Sequence, residues 1–220
     1  MASDYYALYA RVRLTREQIF SCVVPLLHEN GARWASAPCE ALAFEPKLGR
    51  YVWTGESARF KNLDEALERA RAWQGVAIYF EYPREDVLGS LSIVVWNDEG
   101  PAATTVALCE NSTLFNLQRE HAPSWEAAQE LFISVGQALQ SEFCFLRREP
   151  PLRTMSQEEV AGELERIAQG RFVPTLLATH VTRFTTPVRV VSMPTAAYRV
   201  DRRGDYVVIT HKSMGTPEAD

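Results

Sequence analysis

Residues 76–96 read VAIYFEYPREDVLGSLSIVVW. Two apolar runs, Val76 to Tyr82 and Leu88 to Trp96, flank Pro83-Arg84-Glu85-Asp86-Val87, whose residues have turn chemistry. This predicts an antiparallel hairpin. Along a strand successive side chains alternate, so Tyr79 and Phe80 belong to opposite faces, as do Val94 with Trp96 and Ile93 with Val95. Both faces are therefore substantially apolar. One is expected to pack on helices, and the other to be covered by a further layer or exposed. Asn97-Asp98-Glu99-Gly100-Pro101 is a second turn signal, and Thr104 to Cys109 follows as a third strand of a meander.

Outward from the meander, four helices are marked by their caps. Thr15 with Gln18 makes a capping box before Ile19, Val23, Leu26 and Leu27, and Gly31 supplies the stop. Pro25 inside this pattern predicts a kink or early break. Asn62 with Glu65 opens the second helix, with Leu63, Ala66, Leu67, Ala70 and Trp73 as its buried face and Gly75 as its end. Ser124 opens the third, whose Trp125, Ala128, Leu131, Phe132, Val135 and Leu139 form the strongest amphipathic stripe. Ser156 with Glu159 opens the fourth, which ends at Gly170.

Strands are expected at 5–14, 33–37, 51–54 and 143–147, then at 176–184, 188–192, 197–200 and 206–211. Arg202-Arg203-Gly204 forms the loop of the last hairpin. The fold class is α+β: a mostly antiparallel sheet with about four helices packed on it and a strand-rich C-terminal part. Residues 1–150 form an α+β core with helices near 15–30, 62–74 and 124–140. Residues 151–220 add a helix and antiparallel strands, either as part of the same domain or as a second one, with Arg148-Glu149-Pro150-Pro151 as the candidate boundary.

Composition excludes several classes of function. The chain has 220 residues, 46% apolar and 23% charged, which are ordinary globular values. Its net charge of -5 opposes general nucleic-acid binding. Charge is uneven: residues 1–150 carry 14 basic and 20 acidic side chains, residues 171–212 seven and two. The basic stretch suits the solvated face of a sheet; its sharper reading is a contact for an anionic partner or for the acidic part of a second copy. The start lacks a secretory pattern and no apolar run approaches a membrane span, so a cytoplasmic location with reduced thiols is expected. Cys22, Cys39, Cys109 and Cys144 form no paired spacing, and no close histidine pair occurs, so neither a metal nor a cofactor is expected. Gly-rich phosphate loops and nucleophile elbows are missing.

These features point to a non-catalytic, cytoplasmic protein-binding protein of inhibitor or toxin-immunity type. Its partner is another protein, plausibly a basic one, met by an acidic and aromatic surface of Glu81, Tyr82, Glu85, Asp86, Trp96, Asp98 and Glu99. Successive turns of a meander lie at opposite ends of a sheet, so the two acidic groups need not meet. The alternative is an enzyme or small-molecule-binding protein with a site assembled from distant segments. Its candidates are Cys109, His121, His180 and His211, with Arg183 or Arg189 holding an anion. A third reading is a homo-oligomer in which the acidic and basic regions complement each other.

Overall fold

The computed structural model describes residues 5–34, 39–84, 87–97, 104–111, 122–141, 143–148, 158–159, 162, 177–180, 198–203 and 206–211. Strand β1 (Tyr5–Val12) leads into helix α1 (Arg16–Glu29), and β2 (Arg33–Trp34) follows. A hairpin of β3 (Cys39–Glu45) and β4 (Arg50–Ala58) precedes α2 (Leu63–Ala70). The meander is β5 (Gly75–Arg84), β6 (Val87–Asn97) and β7 (Thr104–Asn111). Then come α3 (Ala122–Ala138), β8 (Phe143–Arg148), β9 (Leu177–His180), β10 (Tyr198–Arg203) and β11 (Tyr206–His211). The strands form one 11-stranded sheet in the order β10-β11-β9-β8-β1-β7-β6-β5-β3-β4, with β2 on β5. Every described pairing is antiparallel. The protein is α+β, with helices packed on an antiparallel sheet. The helix expected from Ser156 to Gly170 falls almost wholly outside the described residues, as does the strand expected at 188–192. No helix among the described residues is long and apolar enough to cross a membrane.

Local chemistry explains most of these elements. The Thr15 hydroxyl accepts from Gln18 N at 3.3 Å and Gln18 Oε1 accepts from Thr15 N at 2.8 Å, so the capping box is closed. Helix α1 runs unbroken through Pro25. Pro25 and Ser21 are both exposed, so water can solvate the Ser21 carbonyl that the proline leaves without a donor. The helix stops as Gly31 takes φ +91°, and the backbone N–H of Ala32 closes on Leu27 O.

Helix α2 ends at Ala70, short of the expected Gly75. The physical reason is Arg16, whose guanidinium donates to the carbonyls of Ala70 (2.5 Å), Trp73 (3.1 Å) and Gln74 (3.1 Å) as the chain leaves the helix. Gly75 instead opens β5, where close packing requires it. A Cβ there would lie 3.1 Å from Leu42 Cβ and 3.2 Å from Trp96 Cβ. Strand β3 was not expected at all, since Cys39-Glu-Ala-Leu-Ala-Phe-Glu45 is rich in helix formers. Its pairing with β4 and β5 overrides that propensity. The last hairpin closes with Arg203 opposite Tyr206, so Arg202 and Arg203 belong to the strand rather than to the loop.

The meander has the alternation its sequence predicts. Val76, Ile78, Phe80 and Tyr82 of β5, and Leu91, Ile93 and Val95 of β6, meet Ile19, Phe20, Val23 and Leu27 of α1 and Leu131, Phe132 and Val135 of α3. Each such side chain contributes about 1.5–3 kcal/mol when fully buried. On the second face Leu42, Ala77, Val94, Trp96, Ala107 and Cys109 form a separate buried cluster, with Tyr51 and Tyr79 packed against it.

Candidate functional site

The structure takes the two aromatic residues out of the expected binding surface. Tyr82 and Trp96 are both 0% exposed. Tyr82 faces the helices and Trp96 the second cluster, because both lie within paired strands whose two faces are covered. Glu81 is exposed, and Arg33 stands directly opposite it in the register of β2 and β5. Glu85, Asp86, Asp98 and Glu99 lie outside the described residues. The two turns adjoin opposite ends of β6, Val87 and Asn97, which are ~34 Å apart at strand rise.

The exposed apolar surface is elsewhere. Among the described residues, the large hydrophobic side chains open to solvent are Leu48 (57%) and Trp53 (47%), both on the β3–β4 hairpin. Its turn is well ordered: the backbone N–H groups of Leu48 and Gly49 both donate to Glu45 O at 3.0 Å, and Lys47 N donates to Glu45 Oε1 at 3.2 Å. Gly49 adopts φ +60°, a conformation that disfavours side chains other than glycine.

The hairpin is clamped at three points, two of them beside its turn. Phe44 N donates to Gln74 Oε1 at 2.7 Å, and the Tyr51 hydroxyl donates to Asn97 O. Trp73 Nε1 donates to Glu56 Oε1 at 2.9 Å. The Tyr51 ring meets Phe44 edge-on at 5.5 Å and lies 5.7 Å from Trp96. Buried Trp96 thus forms part of the base beneath the hairpin.

β4 ends the strand order, and its edge is bulged. Between the pairs Glu40–Ser57 and Leu42–Trp53, β3 contributes Ala41 while β4 contributes Thr54, Gly55 and Glu56. Gly55 takes φ +80° and Thr54 Oγ1 donates to Ala41 O at 3.3 Å. Such a bulge turns an edge away from further strand pairing. The hairpin therefore offers side chains rather than a backbone edge.

Polar chemistry on the second face centres on Glu40 and Tyr79. The Tyr79 hydroxyl donates to Glu40 Oε2 at 2.5 Å, and both residues are half-buried. Burial, and next the bond to Glu40, push the phenol well above its ordinary range, so it stays a donor. Ser92 and Cys109 continue the same cross-strand row from Tyr79.

Cys109, a candidate of the alternative small-molecule or enzyme reading, is a buried thiol. Burial pushes the Cys109 thiol up to about 12, so it is protonated at neutral pH, and His121 lies outside the described residues. Cys39 and Cys144 are likewise pushed up to about 12 by burial. His180 and His211 do not approach each other. His180 pairs with Tyr206 at one end of β11 and His211 forms its other end, five residues away, which is ~17 Å along the strand. Arg183 and Arg189 lie outside the described residues. Among the described residues no group of three or more His, Cys, Asp and Glu is placed to hold a metal ion.

Sequence reasoning missed the hairpin because nothing local separates Trp53 from Trp96. The available signal was Gly49 and Gly55 framing a short strand. Comparison with known proteins adds no family: no family model matches the chain, and no curated protein matches it.

Proposed function

We propose that the protein is a non-catalytic, cytoplasmic protein-binding protein of inhibitor or toxin-immunity type, whose protein partner seats on the β3–β4 hairpin. The observation that carries this reading is the exposure of Leu48 and Trp53 on one clamped hairpin. A pre-ordered hairpin loses little conformational freedom on docking, which lowers the cost of association. Tryptophan is also among the residues most often dominant in interfaces. The net charge of -5 suits a basic partner, since complementary charge speeds encounter.

The test uses the full chain as bait, native and as Trp53→Ala and Leu48→Asp variants that keep the native circular dichroism. Capture of one stoichiometric protein, its affinity weakened about 30-fold by Trp53→Ala, supports the reading; that factor corresponds to a hot-spot loss of about 2 kcal/mol. Equal affinity for all three forms refutes this placement of the interface. Absence of any protein partner, with thermal stabilisation by a small molecule, refutes the class.

A further inference from the structure

We draw no further inference here: the strongest candidate, the surface patch of exposed Leu48 and Trp53 on the β3–β4 hairpin with Lys47 and Arg50 beside its turn, belongs to the site already described, and nothing in the structure shows what covers it.

Discussion

Replacing Arg16 with methionine tests how the fold supports the hairpin. Methionine keeps an unbranched apolar stem and removes the guanidinium. The carbonyls of Ala70, Trp73 and Gln74 then lose the guanidinium, and Ala70 O keeps the backbone N–H of Trp73 as a donor. A hydrogen bond to a charged group contributes about 1.5–3 kcal/mol, but the carbonyls beyond α2 are partly exposed and water recovers much of that. The net loss should be about 2–3 kcal/mol, a fall in Tm of roughly 4–12 °C for a chain of this size. The effect should also be directional. Gln74 supplies the acceptor for Phe44 N beside the turn of the hairpin, so amide exchange at Phe44 should accelerate more than exchange in the distant strand β8. Urea unfolding followed by circular dichroism gives the first quantity, and hydrogen exchange read by mass spectrometry gives the second. A loss below 0.5 kcal/mol would refute the clamp as a source of stability, by the measure of an ordinary surface change. A full loss with no preferential exchange at Phe44 would refute its link to the hairpin.

A Cβ on Gly136 would lie 2.7 Å from Cys144 Sγ, so Gly136→Ala should cost about 1–3 kcal/mol in urea unfolding. In a Cys144→Ala background the same change should instead stabilise, because the clash is gone and alanine favours the helix by about 1 kcal/mol; equal effects in both backgrounds would refute the contact. Thiol chemistry gives a pH prediction. Cys39, Cys109 and Cys144 are held protonated by burial, with ionisation raised from 9.0 to about 12. Their contribution is present below pH 9 and is lost as pH rises towards 12, so stability should fall with pH in that window. Equilibrium unfolding between pH 8 and 11 should show this slope, and Cys109→Ala should flatten it by one thiol's share. At pH 8 the native chain should label rapidly at half-buried Cys22 alone, and at all four cysteines once unfolded; fast labelling of Cys109 in the folded chain would contradict its burial.

The elements legible in the sequence are those whose cause is local. Thr15 and Gln18, or Asn62 and Glu65, satisfy backbone groups within one turn, so a cap can be read without knowledge of the rest of the chain. The meander is equally legible, since two apolar runs around a turn prefer each other to any distant partner. Strand β3 was not legible: alanine, leucine and glutamate favour a helix, and pairing with β4 and with β5, the latter more than 30 residues away, makes Glu40 to Leu42 a strand. Gly75 was read as a helix stop because a glycine after an apolar stripe is a common end. Its actual cause is the approach of Leu42 and Trp96, which no local pattern records.

The candidate site was illegible for a related reason. Aromatic side chains near acidic ones were read as a surface, but exposure depends on strand order. Trp96 lies on β6, with β5 and β7 on either side, and is buried. Trp53 lies on the last strand of the order and remains half exposed. The two residues are nevertheless linked, because the ring of Tyr51 on β4 rests on Trp96 while its hydroxyl holds Asn97 O. An edge strand that needed only to avoid aggregation could be short, charged or bulged, and β4 is bulged. The bulge alone does not account for an exposed tryptophan, an exposed leucine at an ordered turn, and a hairpin held by Gln74, Asn97 and Trp73. Exposed apolar side chains raise the risk of aggregation, and ordering a loop costs entropy. Both costs are offset if the hairpin meets a partner, because the order is then in place before binding and the apolar area is buried by it.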